Sequence, residues 1–324
     1  MGRIVLVTGV SRYLGGRMAA LLAQDPDVET VIGVDVLAPD PGVPGVQIVR
    51  ADIRNPVIAK VMGEARVDTV VHMGTIATPR QAGGRSTMKE INVIGTMQLL
   101  SACQRTPSVE SLVVKSTSAV YGSGPKDPAK FAEDMEPRHP PTSGWPKDSV
   151  EVESYVRGFS RRRPDVSVTT LRLARVLGPR MRTSMTAYFS MKVVPTPLGY
   201  DPRMQFVHED DVLGAIQAAV HRRAHGPINV AGDGVLLLSQ ALLRAGRPIL
   251  PVIAPLLPSV GRALAPRSLV DFSTEGMRYL QYGRALDTTA MRENLGFVPA
   301  YTTAEAFSDF LQGGRTSQEV NTVG

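Results

Sequence analysis

The chain has 324 residues, 43% of them hydrophobic, enough to bury a sizeable core in one large or two modest domains. Its net charge of +6 and pI near 9.6 come from dispersed arginines, the longest run being Arg161–Arg163, and only 5% of residues are aromatic. With neither a basic stripe nor a stacking platform, these numbers argue against nucleic acid and for an anionic small ligand or plain solubility.

The single cysteine, Cys103 in the apolar run "MQLLSAC", excludes a disulfide framework. It reads as a buried small hydrophobe in a reducing, cytoplasmic setting. The five histidines and one cysteine show no metal-ligand spacing, so no metal is expected. The N-terminus enters a strand without a charged-then-apolar leader. No apolar stretch approaches the ~18 residues of a membrane span.

Short β-rich runs open the chain: "RIVLVT", "TVIGVD", "VQIV", "DTVVHM", "SLVVKST" and "VSVTTLRL". They are nearly continuous in Val, Ile and Leu, as strands covered on both faces must be. Helical patterns lie between them, at Leu14–Ala23, Pro56–Glu64, Thr87–Gln104 and Lys147–Arg162. Alternation of this kind predicts parallel pairing through right-handed crossovers, an α/β doubly wound sheet of Rossmann type.

Past Leu177 the texture changes. "GPRMRTSMTAYFSMK" and the proline-rich "RPILPVIAPLLPSVGRALAP" do not continue the alternation, and in the latter the prolines recur too often for a helix. Strand signals return at "MQFVH" and "PINV" around a helix over Asp211–Arg222. The expected division is a dinucleotide domain of residues 1–177 plus 205–231 and a smaller substrate lobe of 178–204 plus 232–324, with ligand between them. The proline-rich segment packs in that lobe, or touches a membrane or a partner.

In "VTGVSRYLGGR" a strand meets Gly9, and Gly15 and Gly16 open a helix, the geometry of a loop whose backbone N–H groups approach a diphosphate. Where a middle glycine is expected stand Arg12 and Tyr13. Asp35 ends the second strand, the place of an acid that holds ribose hydroxyls. Asp52 and Ile53, in "RADIR", are placed to flank an adenine.

Together these residues resemble the extended short-chain dehydrogenase/reductase family, the group of nucleotide-sugar epimerases and dehydratases. Seven ordered stretches carry the resemblance: "TGVSRYLGG", "DTVVHMGT", "EINVIGTMQLLSAC", "KSTSAVYG", "LRLARVLGP", "FVHEDDV" and "DTTAMRENLGFVP". It implies NAD as cofactor, and Asp35, which would repel a 2′-phosphate, favours NAD over NADP. The cofactor would be held by the first loop (Gly9, Arg12, Tyr13, Leu14, Gly15), by Asp35, Asp52 and Ile53, and by the end of the fourth strand (Met73, Gly74, Thr75). Asn92, Ser116 and Lys147 would complete the site.

The same resemblance implies a Tyr-x-x-x-Lys pair in which the lysine lowers the tyrosine pKa for proton transfer, and a Ser or Thr that orients the substrate. Thr117 matches the hydroxyl, and Lys147 aligns with the lysine. Four residues earlier stands Ser143, not tyrosine, and the indole of Trp145 cannot serve as a base. Three explanations stay open. Ser143 with Thr117 and a water forms a relay organised by Lys147; a tyrosine from elsewhere (Tyr13, Tyr121 or Tyr188) enters; or the protein binds NAD without turning over.

For the substrate the candidates are Thr117, Arg175, which replaces the family's asparagine, Arg203 and Arg284. His72 reads as structural. The resemblance further implies a small-molecule substrate, a nucleotide sugar by family weight, and a homodimer through helices Thr87–Gln104 and Lys147–Arg162. The two functional readings are an NAD-dependent epimerase/dehydratase-type oxidoreductase and an NAD-binding sensor or regulatory protein.

Overall fold

The computed structural model describes residues 2–39, 42–77, 83–264 and 270–320, with side chains as far as 313. Seven strands form one sheet: β1 (Arg3–Thr8), β2 (Val28–Asp35), β3 (Val46–Arg50), β4 (Thr69–His72), β5 (Ser111–Thr117), β6 (Ser167–Leu173) and β7 (Gly226–Val230). Their order is β3-β2-β1-β4-β5-β6-β7, and every pairing is parallel. The chain therefore runs outward in both directions from β1, and the switch point lies between β1 and β4. A crevice opens there at the carboxyl ends of the strands.

The crossovers carry helices α1 (Tyr13–Ala23), α2 (Val57–Glu64), α3 (Arg85–Lys89), α4 (Gly95–Arg105) and α5 (Gly144–Arg162). Helix α6 (Ser184–Phe189) follows β6, and α7 (Glu209–Arg222) leads into β7. On one face Val5, Val7 and Val113 pack with Met18 and Leu22 of α1 and Ile216 of α7. On the other, Leu6, Val70 and Val114 pack with Met62 of α2, Leu99 of α4 and Val156 of α5. Two-sided burial explains why the strands read as unbroken apolar runs rather than alternating ones.

Thr87–Gln104 is not one regular helix: a π turn over Glu90–Ile94 separates α3 from α4. Such turns cluster near functional sites because they re-aim one side chain. Here the side chain is Asn92, described below.

The remaining elements enclose a third core of Tyr188, Phe189, Phe206, Leu242 and Phe307. The proline-rich segment departs from expectation. Ile249–Val252 pairs in parallel with Val194–Pro197, and Leu257–Leu264 is helical. Pro258 is compatible with that helix because it sits in the first turn, where no backbone donor is needed. Ile253 and Leu256 remain more than half exposed, and residues 265 and 266 of the segment lie outside the described residues.

Candidate functional site

The loop after β1 is shaped by two glycines. Gly9 adopts φ +77° and lies so close to β4 that a Cβ would stand 2.8 Å from Gly74 Cα. A Cβ on Gly15 would overlap the Gly9 carbonyl oxygen. The middle position needs no glycine for this packing. Arg12 is the extended N-cap of α1, and the helix begins at Tyr13 with no side-chain cap and no acid in its first turn. The free N–H groups at the head of this 11-residue helix are left for an anion.

A cleft of about 350 Å³ opens beside that helix end, at the carboxyl ends of the strands. Arg12, Tyr13, Leu14 and Gly15 form one wall; Met73, Thr75, Ile76 and Ala77 follow β4. The floor is Lys115, Ser116 and Thr117 of β5, and Trp145, Ser149 and Val152 of α5 face it. Arg175, Arg180 and Arg182 close the far side. Five cations line this cleft, and no carboxylate does so among the described residues.

Burial pushes the Arg12 guanidinium pKa down, while Asp35 pulls it back up. Asp35 Oδ2 accepts from the Ser11 hydroxyl at 2.6 Å and the Ser11 N–H at 3.0 Å, so the second strand's acid is tied to the first loop. A carboxylate has lone pairs beyond these for a ribose hydroxyl. Open helix terminus and adjacent acid fit a dinucleotide.

Further out, Asp52 binds Arg54 at 2.6 Å, which holds its carboxyl below the usual range. Ile53 is buried against Gly95. Asn92 does not line the cleft. Its amide accepts from Ile76 N–H and donates to Ile76 C=O, both at 2.8 Å, pinning the loop that does. Ser116 lies on the floor, but its hydroxyl donates to Glu153 at 2.6 Å.

Thr117 lines the cleft, its hydroxyl oxygen accepting from Ala119 N–H at 3.1 Å. The other expected catalytic residues are elsewhere. Ser143 is an exposed N-cap and Lys147 is exposed; neither lines the cleft. Ser143 precedes the helix, and for Lys147 the cause is helical phase. Trp145, Ser149 and Val152 share the inward face, and a shift of two residues turns a side chain about 200° around the axis. The signal was available in the stripe Trp145, Ser149, Val152, Val156, Phe159, which repeats every three or four residues.

None of the alternative tyrosines serves as a base here. Tyr121 is buried, accepting from Arg172 at 2.7 Å and donating to Asn229 at 2.9 Å. Tyr188 donates to Pro195 C=O, and its burial raises its pKa. Tyr13 reaches the cleft, but its hydroxyl donates to Glu209 at 2.6 Å, and burial with this acid raises its pKa too.

Of the candidate substrate arginines, only Arg175 lines the cleft, its guanidinium 5.6 Å from the Trp145 ring and 4.6 Å from the Tyr279 ring. Its buried Nε has no hydrogen-bond partner. Arg203 is exposed, and Met204 takes the inward position, because neighbours in a strand face opposite ways. Arg284 is buried and donates to Gly122 C=O at 2.8 Å and to Ser123 Oγ at 3.0 Å, holding the turn after β5 instead of a ligand. Sequence reasoning missed Arg180, Arg182 and Lys115. The last stands out in an apolar strand two residues before Thr117, on the same face.

Both ring nitrogens of His72 are occupied, by Thr8 at 2.8 Å and Thr96 at 2.9 Å. Asp25, Asp27 and His221 converge at the opposite end of the sheet, where Asp25 also accepts from Gln217. They come from distant segments, so spacing did not show them, and they engage one another.

The sequence matches the NAD dependent epimerase/dehydratase family over residues 5–231. It is 47% identical over 320 residues to an uncharacterised protein of Mycobacterium tuberculosis, covering 96% of this chain and 84% of that one. It is 28% identical over 225 residues to human short-chain dehydrogenase/reductase family 42E member 1, covering 65% and 56%. Among solved structures, dTDP-glucose 4,6-dehydratase from Bacillus anthracis with NAD superposes with TM-score 0.73 at 19% identity, covering 98% of each chain. UDP-glucose 4-epimerase from Thermotoga maritima with UDP-glucose gives 0.74 at 18%, covering 97% and 99%.

Proposed function

Because the chain belongs to the NAD dependent epimerase/dehydratase family, with NAD as its cofactor, we propose that it is an oxidoreductase acting on a hydroxyl-bearing, anionic small molecule, a nucleotide sugar. The observation that carries this reading is the cleft: an uncapped helix terminus, five cations and no carboxylate among the described residues, with Thr117 in its lining. NAD supplies the hydride acceptor and donor. The α1 terminus and Arg12 hold its diphosphate, and Asp35 takes the adenosine ribose. Thr117 orients the reacting hydroxyl. Arg175, with its unpaired Nε, and Arg180 and Arg182 hold the substrate's charged end.

A second reading is favoured by Trp145 and Ser149. No group on the cleft face of α5 can accept a proton near neutral pH, as befits a coenzyme-binding sensor that does not turn over. One purified sample separates the two. Calorimetry is expected to register binding of NAD, and UDP-, GDP- or dTDP-sugars are expected to change the reduced-nicotinamide absorbance. Coenzyme binding with no absorbance change for any sugar nucleotide selects the sensor. No heat with either oxidation state overturns both.

On this reading residues 1–177 plus 205–231 are the dinucleotide unit and 178–204 plus 232–324 the substrate lobe of a cytoplasmic homodimer.

A further inference from the structure

Lys115 is the one charged side chain on β5 and sits in the floor of the cleft. It makes no ion pair or hydrogen bond through its ammonium with any described residue. Strand alternation puts it on the same face as Thr117, two residues or about 7 Å along. The titratable and charged groups around it are Arg12 and Tyr13 from the first loop and helix, His72 from β4, and Arg175, Arg180 and Arg182 across the cleft. Helix α5 turns Trp145 and Ser149 into the cleft, and β6 sets Leu171 beside Lys115. The charges that line the cleft with it are all positive, and the two carboxylates nearby are engaged, Glu153 of α5 with Ser116 and Arg172 and Glu209 of α7 with Tyr13. An ammonium so placed gains nothing for stability, since burial without a partner costs free energy.

We propose that Lys115 is a catalytic residue whose side-chain amine accepts and returns the substrate's hydroxyl proton beside Thr117. The inference rests on the oxidoreductase reading above. With NAD bound, the coenzyme would take the hydride of an alcohol carbon and the neutral Nζ would take the hydroxyl proton, leaving a carbonyl and an ammonium. Reduction returns both, so atoms and electrons balance. Burial, with the Arg12 charge adding to it, lowers the Lys115 pKa to about 8, which leaves part of the population neutral at working pH. The proton acceptor thus sits on the strand, while the helix positions that face the cleft hold Trp145 and Ser149.

The test uses the full chain and two variants. Lys115→Met removes the amine; Lys115→Arg keeps a cation that does not deprotonate. Both are expected to fold, because no contact of the ammonium is lost. With a sugar nucleotide that turns over, both should lose about 10² to 10⁴ in kcat. NAD dissociation constants measured by calorimetry should change far less. The rise in rate with pH near 8 should disappear in both variants.

A second readout needs no turnover. In protein labelled at lysine Cε, which contains seven lysines, the resonance missing from Lys115→Met should titrate near pH 8 and shift when NAD is added. An ordinary lysine midpoint with no response to NAD overturns the proposal whatever the protein's reaction. Unchanged kcat with weakened NAD binding also overturns it, leaving Lys115 a cofactor contact and the oxidoreductase reading intact. If wild-type protein holds NAD but oxidises or reduces nothing, that reading fails and the catalytic role falls with it.

Discussion

At the scale of single residues, chemical type and orientation have to be decided separately. Lys147 has the right type and the wrong direction; Lys115 faces the cleft from a segment where a lysine is unusual. This leads to a sharp expectation. Lys147→Ala removes an exposed side chain with no partner in the cleft, so NAD affinity should stay within about twofold of wild type by calorimetry. A tenfold loss would return the lysine role to α5. The first loop makes a similar point. Arg12 replaces a glycine without disturbing the strand–helix packing, because the close approaches fall on Gly9 and Gly15. The substituted position therefore leaves the packing of the glycine motif intact and sets a guanidinium at the cleft.

Among elements, α4 and α5 carry two jobs. Their inner faces cover the sheet through Leu99, Val152 and Val156. Their outer faces and the π turn that leads into α4 leave Ile94 at 43%, Met97 at 37% and Tyr155 at 40% exposure. We propose that these outer faces pair two copies of the chain. Substituting Ile94→Glu with Tyr155→Glu would bury like charges in that contact, and sedimentation should then show monomer where wild type shows dimer. A wild-type monomer at all concentrations would remove the idea. The element pattern itself was readable from apolar runs and turn residues, since both are local. The π turn at Glu90–Ile94 was not, and its Asn92 side chain bonds Ile76, sixteen residues away, a contact that no local pattern announces.

Across the whole molecule, His72 couples β1, β4 and α4 at the centre of the sheet. Burial, with the Lys115 charge as a lesser cause, lowers its pKa to about 4, from an unfolded value of 6.5. The unfolded chain therefore binds a proton that the folded one refuses between those values. Stability from this group is full above pH 6.5 and is lost as pH falls toward 4, by about 3 kcal/mol in all. Urea unfolding at pH 7 and pH 4.5 should show most of that loss, and His72→Gln should flatten it. A slope that survives the substitution would assign the effect to other groups. No helix among the described residues is long and apolar enough to cross a membrane.

The order of strands and helices, the glycine loop, the acid that ends β2 and the family itself were determined by the sequence, because each rests on near-neighbour periodicity or fixed spacing. Which side chains meet in the cleft was decided by the tertiary structure. Helix phase turns Lys147 away by about 200° relative to Trp145 and Ser149, Ser143 precedes the helix as its N-cap, and loops distant in sequence bring Arg180 and Arg182 into the cleft that Lys115 lines. Arg284 is spent on the turn after β5, 162 residues before it. Facing is set by packing between segments far apart in the chain, and a single line of residues carries that only where a period of two or 3.6 can be followed into the site.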